Sequence, residues 1–193
     1  DPSHYFVSTW GEGVYEFKEN EFVKLHNHTN SSLSTIYPGT SSESHYIRVE
    51  GLCFDSANNL WMTNSEVKEG IKVLKADGTW SKLYFEALNN KMLVDKILIT
   101  QKGYKWVNMP RVTPGIFVFD DKGTIDDATD DVSNFFSLFS DADGKTIEVS
   151  AYYCMTEDKN GTIWMGTDKG PVICTVPSRA IESPGSLYCS YIV

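Results

Sequence analysis

Residues 151–176 read AYYCMTEDKNGTIWMGTDKGPVICTV, a stretch that divides into three strands and two turns. Ala151 to Glu157 is apolar and aromatic, and Asp158-Lys159-Asn160-Gly161 is a hairpin turn. Thr162 to Thr167 carries Trp164, Asp168-Lys169-Gly170 turns again, and Pro171 to Val176 is apolar. Short apolar runs bounded by polar, Gly-containing clusters are the pattern of an antiparallel meander. Asn160-Gly161 is the strongest of its turn signals, because Gly has no Cβ to obstruct positive φ and Asn tolerates it better than most residues.

Weaker copies of this stretch recur toward the N-terminus. The first runs from Tyr5 to Leu25 with its turn at Trp10-Gly11-Glu12-Gly13; the second spans Val49 to Phe85 around Trp61. The third begins at Ile97 and is centred on Trp106, with Phe135 to Phe139 as its expected outer strand; the fourth adds Ser186 to Val193 to residues 151–176. Phe6, Trp61, Trp106 and Trp164 superimpose at intervals of 55, 45 and 58 residues. Four-stranded units repeating at about 40 to 50 residues are propeller blades, with insertions falling in loops. The sequence therefore predicts an all-β protein, a β-propeller in the form of an incomplete arc of about four four-stranded blades, a fragment of a larger propeller. The blade units fall near 4–25, 49–85, 94–139 and 151–193. The first is expected to lack its innermost strand, since nothing precedes Tyr5 that could supply it. The recurring Trp is assigned to packing between blades, where a large ring buries much apolar area. No window keeps the helical period with caps at both ends, so no substantial helix is expected. Apolar faces at the ends of such an arc would need cover, from the remaining blades of the parent chain or from a second copy.

Composition narrows the classes of function. The 193 residues include 17 Lys and Arg against 26 Asp and Glu, a formal charge of −9, which argues against electrostatically driven nucleic-acid binding. No run approaches the roughly 18 apolar residues of a membrane span, and the Asp1-Pro2-Ser3-His4 start has no signal-peptide pattern, so either a signal was removed or the chain is an internal piece. The four cysteines have no metal-ligand spacing. Cys53 and Cys154 lie in corresponding apolar strands and are expected as buried free thiols; Cys174 and Cys189 would pair only if the last two strands are neighbours.

Catalytic motifs are missing: the sequence contains no HExxH, GxSxG, GxxxxGK[ST] or GxGxxG, and no cofactor is expected. His26-Asn27-His28 offers two metal ligands without an identifiable third and reads as a solvated loop. Asp158-Lys159-Asn160-Gly161 and Asp141-Ala142-Asp143-Gly144 imitate the middle of a calcium loop but lack its outer ligands, so hairpin turns explain both. Architecture carries the functional expectation instead. Loops joining the second and third strands of each blade point to one face of a propeller, where spaced residues converge. The ligand-binding candidates in those loops are Trp10, Glu12, Asn64, Glu66, Asn108, Arg111, Asp168 and Lys169. Amides, charges and an aromatic face suit a sugar or a polar protein segment.

Trp164-Met165-Gly166-Thr167-Asp168-Lys169-Gly170, led by Glu157-Asp158-Lys159-Asn160-Gly161-Thr162-Ile163, resembles the two-component-regulator propeller repeat, IWxGTxxG followed by an apolar strand. Units two and three follow the pattern but carry Met62-Thr63-Asn64 and Val107-Asn108-Met109 where the signature has Gly-Thr. The resemblance implies an extracytoplasmic, non-enzymatic binding or scaffold module of Bacteroidetes-type bacteria, in the periplasm or at the cell surface, with a protein or glycan ligand. It implies two settings: the periplasmic oligosaccharide-sensing half of hybrid two-component regulators, and a surface propeller of type IX secretion. The order of residues 117–125, 153–161 and 170–173, followed by Pro177-Ser178-Arg179, is closer to the secretion type. Gly51 to Trp61 also resembles the streptogramin lyase propeller, whose catalytic His and Glu motif is not found here.

Overall fold

The computed structural model describes residues 2–192. Contacts divide the chain into two compact units with the boundary after Val94. In the first unit, β1 (His4–Ser8), β2 (Val14–Lys18) and β3 (Glu21–His26) form a three-stranded sheet. A four-stranded sheet comes next in chain order: β4 (Val49–Phe54), β5 (Leu60–Asn64), β6 (Ile71–Leu74) and β7 (Trp80–Leu83). In the second unit β8 (Ile97–Ile99), β9 (Lys105–Met109), β10 (Gly115–Asp120) and β11 (Val132–Phe136) form another. A two-stranded ribbon of β12 (Phe139–Ser140) and β13 (Thr146–Ile147) precedes a last sheet of β14 (Tyr152–Glu157), β15 (Ile163–Thr167), β16 (Gly170–Cys174) and β17 (Ser190–Tyr191). A four-residue helix, α1 (Arg179–Glu182), lies between the last two strands. All strand pairs named in the sheets are antiparallel and sequential, the meander of a propeller blade, and the fold is all-β.

One turn geometry builds most of the hairpins. Asp55, Lys75, Thr100, Asp141 and Asp158 each begin a turn in which the residue three places on donates its N–H to their carbonyl, while their own N–H bonds the carbonyl four places on. Only the fourth residue of each turn has positive φ: Asn58 at 63°, Gly78 at 84°, Gly103 at 86°, Gly144 at 79° and Gly161 at 80°. Asn160 therefore does not need the left-handed backbone expected of it; its N–H instead donates to Asp158 Oδ1 at 2.8 Å. Asp55 and Asp158 do the same work in equivalent places. Asp55 Oδ1 accepts the N–H groups of Ala57 and Asn59, and Oδ2 accepts the Trp61 indole N–H at 2.8 Å. Asp158 likewise accepts from Asn160, Thr162 and, at 3.0 Å, the Trp164 indole. The third unit has Thr100 at this place, whose hydroxyl accepts the Tyr104 N–H, and the buried Trp106 Nε1 has no hydrogen-bond partner among the described residues.

Trp61 and Trp106 are fully buried, and Trp106 packs with Ile116, Val118, Phe139, Tyr152 and Met165 in the core of the second unit. Trp164 departs from the expectation: it is 37% exposed, on the face of the last sheet that also carries Cys154. That thiol is exposed and Cys53 is half-buried, so neither is the buried cysteine expected. Cys154 faces the partner strand at its barest point, since a Cβ on Gly166 would stand 2.7 Å from its Sγ. Cys174 and Cys189 are joined in a disulfide, because β16 and β17 are neighbours in the register Val172↔Tyr191 and Ile173↔Ser190. The outer strand of the third sheet is Val132–Phe136 rather than 135–139; Phe139 turns away to pair with Ile147.

The crosslink and one displaced carboxyl each make a measurable contribution to stability. Closing a loop with a sequence separation of 15 restricts the unfolded chain, so replacing both Cys174 and Cys189 by Ser should lower stability by about 3 kcal/mol in denaturant titration. Asp131 is pushed up to about 6 by burial and by the neighbouring Asp121 and Asp130, partly offset by Lys105. Its folded form holds a proton to higher pH than the unfolded chain, so this contribution to stability is complete below about pH 4 and is lost as pH rises through about 6. Asp131→Asn should therefore stabilise by about 1 kcal/mol at about pH 7.5, allowing for solvent screening, and be neutral near pH 4, as thermal melts at the two pH values would read.

Candidate functional site

In the first unit, the loop from β1 to β2 and the loop from β5 to β6 close on the segment leading into β4. Ile47 N–H donates to Gly11 O at 2.6 Å, Val49 N–H to Thr9 O at 3.0 Å, and Ser65 N–H to Arg48 O at 2.9 Å. Gly13 lets the start of β2 pass against the end of β3: its φ is 103°, and a Cβ there would lie 2.2 Å from the His26 carbonyl oxygen. Arg48 stands at the centre. Its guanidinium carbon is 5.2 Å from the Trp10 ring centroid, within the range of a cation–π contact, and its Nη1 is ion-paired with Glu66. Both members of the pair are one-fifth exposed, and Arg48 Nε is buried without a hydrogen-bond partner among the described residues. Glu12 accepts the Tyr15 hydroxyl, a bond that raises the Tyr15 pKa above its ordinary value, and lies 3.5 Å from His45 Nδ1.

Asn64 is fully buried. Its Oδ1 accepts the Ser34 N–H at 2.8 Å and its Nδ2 donates to the Arg48 carbonyl at 3.0 Å, so it holds the cluster from beneath and does not face solvent. Glu66 has a left-handed backbone, φ 59°, with its N–H on Lys91 O at 2.8 Å. Beside it a cleft of about 510 Å³ continues along Lys68, Glu69, Glu43, His28 and Asn90. His28 faces Glu43 at 3.5 Å whereas His26 faces Glu16 at 2.7 Å, so the two histidines of the HNH segment serve different carboxylates. Among the described residues no group of three or more His, Cys, Asp or Glu could hold a metal ion.

In the second unit, the loops after β9 and β15 are tied to the start of β14. Tyr152 N–H donates to Pro110 O at 3.3 Å and Asp168 N–H to Ala151 O at 3.1 Å. Asp168 Oδ1 accepts the N–H groups of Ser150 and Ala151, and these bonds hold its carboxyl below the usual carboxylate range. Lys169 extends beside it at 3.7 Å. Arg111 is exposed and makes no hydrogen bond or ion pair among the described residues. Asn108 is buried, like Asn64, with its Nδ2 3.4 Å from both Asp95 Oδ2 and the Tyr152 carbonyl. Its Oδ1 and the Tyr152 hydroxyl are both buried without partners among the described residues; burial, then the Asp168 charge, raises the Tyr152 pKa.

The structure thus gathers Trp10 and Glu66 around one arginine, sets Glu12 against Tyr15 and His45, and leaves Arg111, Asp168 and Lys169 at the surface of the second unit. It turns Asn64 and Asn108 inward. Sequence reasoning missed Arg48, Tyr15 and His45. Arg48 had a signal, a basic residue set between Ile47 and Val49, both buried, at the entry to an inner strand.

Residues 146–169 match the family described as two component regulator propeller. The chain carries a two-component-regulator propeller repeat. Among solved structures, PorZ, described as an essential bacterial surface component of the type-IX secretion system of Porphyromonas gingivalis, is 28% identical. It superposes with a TM-score of 0.89 over 98% of this chain and 25% of its own. A protein described as the extracellular domain of a hybrid two component system from B. thetaiotaomicron is 16% identical, with a TM-score of 0.61 over 98% of this chain and 21% of its own. A second such domain from that organism is 15% identical, with a TM-score of 0.60 over 99% and 22%. The last two show the propeller fold alone. The chain spans about a quarter of the length of PorZ, and each relative is described as a surface component or an extracellular domain. A search of curated proteins by sequence finds no match. Among the described residues no helix is long and apolar enough to cross a membrane.

The Arg48–Glu66 pair and the backbone at position 66 can be separated by substitution. Glu66→Ala should cost about 1 kcal/mol, from the half-screened ion pair, whereas Glu66→Gly should cost less because glycine relieves the left-handed φ. Chemical denaturation of the two variants checks this order, which is the reverse of that expected for an ordinary strand or helix position.

Proposed function

We propose that the chain is a non-catalytic, extracytoplasmic recognition and scaffold segment of a surface propeller of the type IX secretion kind, binding protein or glycan through its loop clusters. The likeness to PorZ, at 28% identity over nearly the whole chain, carries this reading. The chemistry of the loops agrees with it. Their titratable groups are bonded to one another or to backbone, Glu66 to Arg48, Glu12 to Tyr15, Asp168 to two N–H groups, which suits a fixed recognition surface better than proton transfer. Trp10 and Arg111 are the groups left to meet a ligand, one a flat aromatic face, the other an unpaired cation. The Cys174–Cys189 bridge supports an oxidising compartment. Apolar side chains that remain exposed, Phe22 and Val23 in the first unit and Tyr153 and Ile192 in the second, favour cover by further blades of a longer chain. A second reading, an oligosaccharide-sensing domain of a hybrid two-component regulator, is favoured only by the shared fold.

Surface plasmon resonance with the immobilised chain would test the site against detergent-solubilised outer-membrane fraction of a bacterium with type IX secretion and against a panel of defined oligosaccharides. Trp10→Ala and Arg111→Glu, made singly, should each weaken binding to the membrane fraction about tenfold, the size of effect expected for removing one central anchor, with the melting temperature of Arg111→Glu unchanged. Saturable binding to a defined oligosaccharide alone would favour the sensor, and binding that neither variant weakens would overturn both site assignments.

A further inference from the structure

The first sheet has three strands, whereas the sheets that begin with β4, β8 and β14 each have four. The strand it lacks is the inner one. Val49 N–H donates to Thr9 O, one residue beyond β1, and Tyr152 N–H donates to Pro110 O, one residue beyond β9. β1 therefore stands second in its sheet, as β9 does, and β9 is paired on its other edge with β8 in the register Ile97↔Val107, Leu98↔Trp106, Ile99↔Lys105. On β1 that edge is bare. Glu19 N–H donates to Ser3 O and Thr9 N–H to Gly13 O, so Ser3, Tyr5, Val7 and Thr9 turn their backbone groups toward β2, and His4, Phe6 and Ser8 turn theirs away. No described residue bonds the backbone N–H or carbonyl of those three. An exposed edge is a template for pairing, and proteins blunt it with short strands, bulges, lysine or proline. The inner strands of the complete sheets are blunted: β4 and β14 each carry a register shift, and β8 is three residues long. So is β3, the opposite edge of the first sheet, with Lys24 and a register shift. β1 runs for five residues in unbroken register and has none of these devices.

A cleft of about 760 Å³ opens beside the same edge, lined in part by His4, Phe6, Phe54 and Asn58. The second unit shows what fills the equivalent place. Phe54 ends β4 and Glu157 ends β14, each one residue before a turn-capping aspartate, Asp55 or Asp158. Glu157 Oε2 accepts the backbone N–H of Gln101 at 2.7 Å, and the Gln101 side chain donates to the Asp158 carbonyl at 3.1 Å. The turn that follows β8 thus covers the end of β14. In the first unit Phe54 is 50% exposed, with the Phe6 ring edge-on to it at 5.9 Å. A phenyl ring in the place of a hydrogen-bonding carboxylate calls for an apolar neighbour in the place of Gln101. A small ligand would fill the cleft and leave the strand edge unpaired. One extended segment accounts for both.

We propose that the free edge of β1 and the Phe54 end of the cleft are one seat for a fourth, antiparallel strand, supplied by a segment of the longer chain outside these 193 residues, with an apolar side chain of its following turn packed on Phe54. This rests on the reading of the chain as a segment of a larger surface propeller, and PorZ, of which the chain covers 25%, has length to spare for such a strand. The ligand assay above decides the recognition sites, and the strand is decided separately, by exchange and stability. Hydrogen exchange resolved to single residues compares the 193-residue chain with the full-length protein. In the chain alone the amides of His4, Phe6 and Ser8 should exchange about 100-fold faster than those of Tyr5 and Val7, and in the full-length protein all five should be slow. Phe54→Glu should lower the melting temperature of the full-length protein by several degrees and change that of the chain alone little, because only the former covers the ring. Fast exchange at the three amides of the full-length protein, slow exchange there in the chain alone, or a full-length protein indifferent to Phe54→Glu would each overturn the proposal. Exchange at those amides that slows as the concentration of the chain alone rises would give the seat to a second copy, and overturn it likewise.

Discussion

A single carboxylate at the head of a hairpin does three things at once in this fold. Asp55 and Asp158 cap two turn N–H groups each and accept an indole N–H six residues on, joining the turn, the strand after it and the large ring on that strand. Without such a partner each polar group would be buried at a cost or left to water. In the third sheet that carboxylate is missing: Thr100 still shapes the turn, yet Trp106 remains buried with an unmet donor, held by apolar packing alone. Hairpin turns of this type lie at one end of the sheets. The opposite ends carry the candidate ligand contacts and the long connection from β3 to β4, whereas residues 121–131 and the α1-bearing connection after β16 leave from the same end as the turns.

Electrostatics inside the sheets are handled by pairing and by displacement of titration. Lys105 and Asp121, both nearly inaccessible, are ion-paired within the third sheet. Lys72 is wholly buried in the second sheet; burial brings its pKa down to about 8, while Glu69 opposes the shift and Ser34 Oγ accepts from its ammonium at 3.0 Å. Because Glu69 also lines the cleft beside Glu66, the buried ammonium supports from below the charge of the loop cluster. The net charge of −9 therefore does not describe the local field at the loops, where arginine and lysine stand between carboxylates.

Much of this fold was legible in the chain. The repeat of Trp at similar intervals, the Asp–Gly and Asn–Gly turns and the alternating apolar strands are local features, and short-range turn chemistry is nearly independent of what surrounds it. The assignment of loop residues to a shared end of each sheet was equally accessible, because strand count alone decides which loops share an end. Direction and depth were beyond the reach of pattern. Asn64 and Asn108 sit in the predicted loops but point inward, since the carbonyls of Arg48 and Tyr152 offer their amides bonds that water would otherwise supply. Arg48 was overlooked for the converse reason: its partners Trp10 and Glu66 are distant in sequence and meet it only when two loops close on one segment.

By itself, then, the sequence determined the secondary structure, the meander order and the repeat family, because these depend on periodicity and on turn backbones that few residue types can adopt. Tertiary structure alone decided which tryptophan is covered, that Cys174 meets Cys189, and that His4 and His26 share one carboxylate beside an open cleft. Those outcomes depend on strand register and on the spacing between neighbouring sheets, which are set by the sum of many side-chain contacts and leave no mark within any one stretch of chain.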